Sequence, residues 1–307
     1  MPDTASSSHP LQQLQARAAG GAELAVSGVT DQGRVRKNNE DNLAACDLSN
    51  GEILAGPFEF RRALGPQGVL LLVADGMGGQ ACGELASQMC SDLTPVRLLD
   101  GLRQIQTATR QELGGLLTRA LESANQSILE TSRNRPACKG MGTTATAALL
   151  RGTSVLVAQV GDSRAYLIRN GKMAQLTRDQ TFLNYLVEMG AVDAAVEAHD
   201  DPRRSILVQA LGTSEKLNVV LTEAEVQNGD RLLLASDGLY GPVKADEILE
   251  IAGGNADLED RCRSLVATAN RHGGPDNITL ILADISGPGA GDPSTPVRVE
   301  ALTPAKA

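Results

Sequence analysis

The sequence contains no tryptophan, and its other aromatic residues are only three tyrosines and three phenylalanines. A core with so few rings must be built from aliphatic side chains, and an apolar content of 42% is enough for a sizeable one. The 307 residues are sufficient for one large domain or two ordinary ones.

Basic residues are also in short supply, because 28 Lys and Arg face 37 Asp and Glu, which gives a net charge of −9. Non-specific nucleic-acid binding depends on Lys and Arg, so a nucleic-acid partner is not expected. No apolar run reaches the roughly 18 residues of a membrane span. The first residues have no apolar core of a signal peptide. These absences predict a soluble, cytoplasmic protein.

Soft metal ligands are equally scarce. The sequence has three histidines, and its five cysteines form no CxxC pair. A zinc or iron–sulfur site is therefore not expected. Cysteines that are odd in number and irregularly spaced predict free thiols in a reducing compartment. Cys82, close to a glycine-rich turn, is interpreted as a buried, inert thiol.

The chain divides into one domain and two tails. Residues 1–20 are polar and small, and residues 286–307 carry four prolines, so both are predicted to be disordered. No Pro- or Gly-rich linker interrupts residues 21–285, which are predicted to form a single domain.

Apolar runs bounded by Gly, Asp or Asn predict strands at 22–29, 68–75, 143–150, 154–161, 164–171, 230–237 and 277–285. Asn170–Gly171 predicts a hairpin turn. Helical periodicity occurs at 83–100, 110–132, 179–190, 244–252 and 256–270. Residues 47–68 look like a long polar loop that Phe58 and Phe60 hold down. Consecutive strands with helices in separate blocks predict antiparallel sheets with helices outside.

Acidic residues stand at the ends of several predicted strands. Asp75 and Asp237 each follow an apolar strand and precede a glycine. Asp162, Asp276 and the pair Glu40–Asp41 occupy comparable positions. Carboxylates are the ligands that Mg²⁺ and Mn²⁺ prefer. A single Asp–Gly after a strand is most often only a turn. The residues alone therefore leave open whether these positions form a metal site or only turns, and they leave the reaction class open.

Nine motifs in this order resemble the metal-dependent protein phosphatase family, also called protein phosphatase 2C, in its bacterial form. The motifs are TDxGxxRxxNED at 30–41, DGMGG at 75–79, GExAS at 83–87, GMGTT at 140–144, GDSRAY at 161–166, LTxD at 176–179, ALG at 210–212, SDGL at 236–239 and DNIT at 276–279. The resemblance covers about residues 26–284.

The resemblance implies an α+β fold in which two antiparallel β-sheets are stacked face to face and flanked by helices, a four-layer α-β-β-α sandwich. It implies a binuclear metal site at one end. Asp75 matches the carboxylate that bridges both ions, and Gly76 matches a carbonyl ligand. Asp237 and Asp276 match ligands of the other ion.

The remaining matches concern Glu40, Asp41, Arg36 and Asp162. Glu40 and Asp41 match an acidic pair that holds metal-bound waters or binds metal directly, which gives Asp41 a catalytic role. Arg36 matches the guanidinium that binds the substrate phosphate. Asp162 matches a ligand of a third, weaker ion.

The implied activity is hydrolysis of phosphoserine and phosphothreonine on proteins by a metal-bridging water or hydroxide, with two Mn²⁺ or Mg²⁺ ions. Phosphorylated proteins and a cognate Ser/Thr kinase are the implied partners. The alternative is a weak or inactive pseudophosphatase that binds phosphoproteins. Three departures from the family pattern bear on this choice: Gln80 and Gln180 replace histidines, and Gly241 replaces a carboxylate often used for the third ion.

Overall fold

The computed structural model describes residues 22–78, 82–105, 108–192, 202–287 and 295–303. Within these ranges the chain forms two β-sheets in which every strand pair is antiparallel. The strands are β1 (Glu23–Asp31), β2 (Asp41–Asp47), β3 (Glu52–Ala55), β4 (Phe58–Ala63), β5 (Val69–Met77), β6 (Gly142–Thr143), β7 (Ala145–Arg151), β8 (Ser154–Val160), β9 (Arg164–Arg169), β10 (Lys172–Gln175), β11 (Val220–Glu225), β12 (Arg231–Ala235), β13 (Ile278–Ser286) and β14 (Val299–Ala301).

The strand order is β10-β9-β12-β13-β1-β4 in a six-stranded sheet. It is β14-β11-β8-β7-β5-β2-β3 in the second sheet, where β6 also pairs with β5. The turn between β9 and β10 has Asn170 at φ 49° and Gly171 at φ 68°, the left-handed pair that a tight hairpin requires. The predicted hairpin is therefore present.

The described ranges contain six α-helices, and the longer ones pack on the outer faces of the sheets. They are α1 (Cys82–Leu102), α2 (Arg110–Asn134), α3 (Phe182–Glu188), α4 (Asp237–Tyr240), α5 (Ala245–Ala252) and α6 (Leu258–Arg271). Short 3₁₀ helices occur at Pro136–Cys138 and Pro202–Ser205. None of the helices in the described parts of the chain is long and apolar enough to cross a bilayer.

Three apolar clusters hold the layers together. The central cluster lies between the sheets and includes Leu43, Leu71 and Leu234, all fully buried. A second joins α1 and α2 to the sheet that contains β5, and a third joins α5 and α6 to the sheet that contains β13. The predicted four-layer α-β-β-α sandwich is confirmed, and its core is aliphatic as the composition requires.

Strands β2 and β11 lie where no strand is predicted, and two further segments contradict a stated expectation. The polar loop expected at 47–68 contains β3 and β4, because Phe58 and Phe60 pack against the central cluster while the alternate residues face outward. Part of the tail expected to be disordered, Val299–Ala301, pairs with β11 at the sheet edge. Residues 1–20, 288–294 and 304–307, which comprise the predicted N-terminal tail and parts of the C-terminal one, lie outside the described residues.

Candidate metal centre

The acidic residues predicted from the sequence meet at one end of the sandwich. Asp41 begins β2 directly opposite Asp75 on β5. Asp237 begins α4 immediately after β12, and Asp276 stands just before β13. Asp162 lies in the turn between β8 and β9. Ends of strands from both sheets thus bring together carboxylates that are far apart in the sequence.

Asp41 is almost fully buried, with 6% exposure. The Ser236 hydroxyl donates to its Oδ2 at 2.7 Å, and Thr279 adds a second side-chain hydrogen bond. Ser236 also accepts from the backbone N–H of Thr279 at 3.0 Å. Two hydroxyls from β12 and β13 therefore fix the orientation of a carboxylate that belongs to the other sheet.

The backbone of Asp75 is fixed by two threonines, Thr143 at the end of β6 and Thr144 between β6 and β7. The Thr144 N–H and the Thr143 hydroxyl donate to the Asp75 carbonyl at 2.8 and 2.9 Å. The Asp75 N–H donates to the Thr144 hydroxyl at 3.0 Å. A side chain on Gly76 would collide with the carbonyls of Glu40 and Gly83, so only glycine fits there.

Glu40 is positioned by its backbone. Its N–H donates to Asn277 Oδ1 at 2.9 Å, and its carbonyl accepts from the Ser87 hydroxyl at 2.6 Å. The Glu40 carboxylate lies against Gly83, where a Cβ would displace it. Asn277, which is buried, also donates to the carbonyls of Gln32 and Asn38 at 2.9 and 2.8 Å. It therefore fastens the whole 32–40 loop to the start of β13.

Asp162 is held from the side of α4. The Tyr240 hydroxyl donates to the Asp162 carbonyl at 2.9 Å. The Arg164 guanidinium lies 3.9 Å from the centre of the Tyr240 ring and makes a bidentate ion pair with Asp179, whose shortest N–O distance is 2.5 Å. Arginine, tyrosine and carboxylate thus form a clamp beneath the turn that carries Asp162.

Arg36 reaches the cluster from an exposed loop. Its Nη2 donates to Asp276 Oδ2 at 2.5 Å, and its side chain stays 55% exposed. Gln32 Nε2 donates to its carbonyl at 2.8 Å. Hydrogen bonding to Asp276 raises the pKa of Arg36, with smaller contributions from Asp237 and Asp75. The residue predicted to bind phosphate is thus paired with one predicted to bind metal.

Mutual repulsion in a buried place dominates the electrostatics. Burial raises the pKa of Asp41 to about 7, of Asp162 to about 8 and of Asp237 to about 6, and neighbouring carboxylates add to each shift. The pKa of Asp75 is raised well above its ordinary value, by burial and then by Asp41 and Asp237. Without a counter-charge, this end of the sandwich therefore favours protonated carboxyls.

The donor set fits a hard divalent cation. Asp237 Oδ1 is buried and has no hydrogen-bond partner among the described residues. The other Asp237 contact is a hydrogen bond with the Asp75 carboxyl, which a bound cation would replace. In the described ranges no three side chains already form a complete ligand set for one ion. This is expected, because Arg36 pairs with Asp276, while the carboxyls of Asp75 and Asp237 share a hydrogen bond with each other.

A cleft of about 940 Å³ leads away from Asp162 and Asp237. Its walls come from α3, the residues around Thr177 and the start of α5, and Lys244 lies at its exposed edge. Lys244 has no ion-pair partner within the described parts of the chain. The cleft therefore presents the positive charge of Lys244 beside Arg164 and Arg178, which are already paired with Asp179 and Glu188.

The three sequence departures have different outcomes. Gln180 accepts from the Gly161 N–H at 2.7 Å, so it fixes the residue before Asp162. Gly241 lines the cleft and directly follows α4, where a Cβ would lie 2.7 Å from the Asp237 carbonyl. Gln80 lies outside the described residues.

The prediction of free thiols is wrong for two of the five cysteines. Cys82 and Cys138 form a disulfide with a Cα–Cα distance of 5.3 Å, and Cys46, Cys90 and Cys262 are free and buried. The sequence could not show this pairing, because 56 positions separate the two cysteines and the fold alone brings them together. The argument for a reducing compartment loses its basis at these two positions.

Sequence reasoning also missed the residues that position the carboxylates. These are Ser236, Thr279, Thr143, Thr144, Asn277, Arg164 and Tyr240. Most of them lie inside the recognised motifs, beside the acidic residues. Their partners are distant in sequence, so only the fold assigns them.

Fold and site together define an α-β-β-α sandwich with a buried carboxylate centre at one end. The sequence model described as "Protein phosphatase 2C" matches residues 27–184. The serine/threonine protein phosphatase PstP of Mycobacterium tuberculosis is 38% identical over 266 residues, which cover 85% of this chain and 45% of that protein. The chain thus spans less than half the length of this relative.

Other relatives match over nearly their whole length. The serine/threonine phosphatase stp of Listeria innocua is 35% identical over 257 residues, which cover 83% of this chain and 93% of that protein. The PstP catalytic domain, solved in complex with two manganese ions, superposes with a TM-score of 0.67 at 34% identity and covers 86% of this chain and 99% of its own. The chain belongs to the protein phosphatase 2C family.

Proposed function

We propose that this chain removes phosphate from phosphoserine and phosphothreonine in proteins, with two Mn²⁺ or Mg²⁺ ions held at the carboxylate cluster. One observation carries the proposal above all. Among the described residues, several buried carboxylates face one another at the end of the sandwich, and the arginines that act on them are each held by a carboxylate, the exposed Arg36 by Asp276 and Arg164 by Asp179. A divalent cation offsets that concentrated charge, and a fold alone would not benefit from it.

The proposed ligands are assigned residue by residue. Asp75 is proposed to contact both ions, the Gly76 carbonyl one of them, and Asp237 and Asp276 the other. Asp162 is proposed for a third, weaker site, which the clamp under its turn supports. Glu40 and Asp41 are proposed to border the ions, and Asp41 in particular is held in one orientation by two hydroxyl donors.

When bound, divalent cations lower the pKa of a coordinated water and neutralise charge on phosphate oxygens. The chain's own residues supply the rest. Arg36 offers a planar fork that binds two phosphate oxygens at once. Its exposed position at the mouth of the cluster allows it to turn from Asp276 toward a bound phosphate. Asp41, buried and raised in pKa, is placed to accept or hold a proton.

The peptide around the phosphorylated residue is proposed to lie in the cleft bordered by α3 and α5. Its lining combines apolar residues such as Leu183 and Ile248 with the charged edge at Lys244. The cleft shares Asp162 and Asp237 with the carboxylate cluster, so a side-chain phosphate can reach the cluster while the backbone stays in the cleft.

A bacterial Ser/Thr kinase is the proposed counterpart of this activity, and the cytoplasm the proposed location. Both follow from the resemblance to bacterial phosphatases of this family. The structure adds the solvent-facing cleft, which suits protein substrates.

The test is hydrolysis of a phosphothreonine peptide with Mn²⁺ or Mg²⁺, and again after treatment with EDTA. We expect activity only with the cation, and its loss in Asp75→Asn with an unchanged circular dichroism spectrum. Asp100→Asn is the matched control, because Asp100 is an exposed residue of α1 that pairs with the exposed Arg103. Full activity after complete chelation would refute the proposal. Metal binding and phosphopeptide binding without turnover would support the pseudophosphatase alternative.

A further inference from the structure

The Cys82–Cys138 disulfide joins two segments that both lead directly to the carboxylate cluster. Cys82 is the first residue of α1, and Cys138 ends the 3₁₀ helix Pro136–Cys138 that follows α2. The proposed mechanism uses neither sulfur atom.

Cys82 is connected to the cluster through the next residue, Gly83. The Gly83 N–H donates to the Gly78 carbonyl at 3.2 Å. Gly83 also packs so closely against Gly76 and the Glu40 carboxylate that a Cβ would collide with both. A shift of the start of α1 therefore changes the surroundings of Gly76 and Glu40 together.

From Cys138 the connection passes through a tight turn into β6. The Met141 N–H donates to the Cys138 carbonyl at 3.0 Å, and β6 then pairs Thr143 with Gly76. The Thr143 hydroxyl donates to the Asp75 carbonyl at 2.9 Å. The disulfide thus fastens together both supports of the Asp75–Gly76 segment.

We infer that Cys82 and Cys138 are a reversible oxidation site whose disulfide strengthens cation binding at the neighbouring carboxylate cluster. This inference rests on the cation binding that the proposed function assigns to that cluster, and not on the hydrolysis. Oxidation fixes the start of α1 to the segment before β6 and so limits the motion of Gly76 and Glu40. Reduction releases both segments and lowers the preorganisation of the cation ligands.

The reaction needs an oxidant and a reductant of ordinary classes. A hydroperoxide transfers oxygen to one thiolate, which forms a sulfenic acid and releases water or an alcohol. The second thiol then attacks the sulfenic sulfur, the disulfide forms and water leaves. In the reverse direction a dithiol attacks one sulfur, passes through a mixed disulfide and is itself oxidised as two thiols are released.

The surroundings favour this pair over the other cysteines. Cys138 is 8% exposed, and every other residue of the segment 133–140 is exposed. A small opening of this segment therefore admits a reagent. Cys46, Cys90 and Cys262 have no exposed surface. Burial raises the pKa of the Cys46 and Cys90 thiols to about 12 and of the Cys262 thiol to about 11, which suppresses the reactive thiolate.

The test measures Mn²⁺ affinity by calorimetry on the full chain, oxidised and then reduced with a phosphine that is removed before titration. The phosphine becomes a phosphine oxide with oxygen from water, and both thiols are released. We expect reduction to weaken Mn²⁺ binding about 3- to 10-fold. Mutation of a residue that is hydrogen-bonded to a metal ligand weakens metal binding more, roughly 10- to 100-fold. Hydrogen peroxide should restore it, and peptide mass spectrometry should recover the Cys82–Cys138 cross-link only from the oxidised sample.

Two variants separate this pair from the other thiols. Cys82→Ala/Cys138→Ala should bind Mn²⁺ like reduced wild type in both states, and Cys262→Ala should keep the full response. Equal Mn²⁺ affinity of oxidised and reduced wild type, which needs no substitution, would overturn the inference, as would a response that survives in the double variant. Redox-dependent Mn²⁺ binding without phosphopeptide hydrolysis in either state would instead refute the proposed function and leave this inference standing.

Discussion

Arg36 and Asp276 show how one contact can link substrate binding to metal binding. The guanidinium and a cation compete for the same carboxylate, because Arg36 Nη2 lies 2.5 Å from Asp276 Oδ2. A cation that takes Asp276 would free Arg36 for phosphate. The resemblance alone predicts a phosphate-binding role without an effect on metal, and the ion pair adds the competition.

We therefore expect Arg36→Ala to have two opposite effects. Loss of a charge-assisted contact to phosphate, worth about 1.5–3 kcal/mol, should lower kcat/KM about 10- to 150-fold. Loss of the competing ion pair, worth about 0.2–1 kcal/mol for exposed groups, should raise Mn²⁺ affinity up to about fivefold. Steady-state kinetics and calorimetric titration measure the two effects separately. Arg36→Lys is the control, since it keeps the charge and loses the fork; weaker Mn²⁺ binding in Arg36→Ala would contradict the competition.

Asn277 is the residue whose role depends most on the fold. It is buried, and its side chain satisfies one N–H and two carbonyls of the 32–40 loop. Asn277→Ala leaves those groups without partners, at about 1–3 kcal/mol for each one that stays buried. We expect a lower free energy of unfolding and weaker Mn²⁺ binding, measured by urea denaturation and calorimetry. Asn50→Ala, at an exposed turn, is the control; a similar loss there would show that the effect is not specific to the contacts of Asn277.

At the scale of elements, the clamp of Arg164, Asp179 and Tyr240 connects three parts of the site. Arg164 begins β9, Asp179 lies before α3, and Tyr240 ends α4. Arg164→Ala would leave the mostly buried Asp179 without its partner. We expect the free energy of unfolding to fall by about 2–4 kcal/mol, slightly less than breaking a fully buried ion pair costs.

Thermal and urea unfolding of Arg164→Ala measure this loss. Arg103→Ala is the matched control, because its ion pair with Asp100 is exposed on both sides and should contribute little. Equal stability of Arg164→Ala and wild type would show that the clamp does not support the turn that carries Asp162.

Elements could be predicted where the chain is apolar and long. The largely buried strands β5, β8 and β13 were predicted because both of their faces lie in apolar layers. Strand β4 was missed because it lies at a sheet edge, where Glu59 and Arg61 alternate with its inward phenylalanines. Strand β14 has three exposed residues, and only pairing with β11 defines it. Short range patterns cannot predict pairing between distant segments.

At the scale of the molecule, stacking two sheets accounts for the site. Asp41 and Asp75 come from one sheet, while Asp237 and Asp276 come from the ends of strands in the other. The central aliphatic cluster holds the sheets together, so its packing energy offsets the repulsion among these carboxylates. The acidic residues could be selected from sequence because they sit in recognisable motifs. Their separations and hydrogen-bond partners could not, because both depend on how the two sheets stack.

The same repulsion predicts how the stability of the whole molecule depends on pH. Asp41, Asp162 and Asp237 have folded-state pKa values of about 7, 8 and 6, all above the ordinary value for aspartate. Below their unfolded-state pKa, near 4, their contribution is fully present, and it is lost as pH rises through 6 to 8, because the folded chain holds protons that the unfolded chain has released. With a chelator, these groups should therefore make the protein less stable at pH 8 than at pH 6.

A bound cation should change this dependence. Mn²⁺ binds deprotonated carboxylates, so its affinity and its stabilising effect should both rise between pH 6 and pH 8. At a 100-fold excess over Kd the stabilisation is about 3 kcal/mol. Thermal unfolding at both pH values, with EDTA and with Mn²⁺, measures the two trends, and Asp75→Asn should lose most of the Mn²⁺ effect. If the Mn²⁺-induced rise in Tm were equal at pH 6 and pH 8, the buried carboxylates would have to be ionised already at the lower pH, and the cluster would not need a cation to hold its charge.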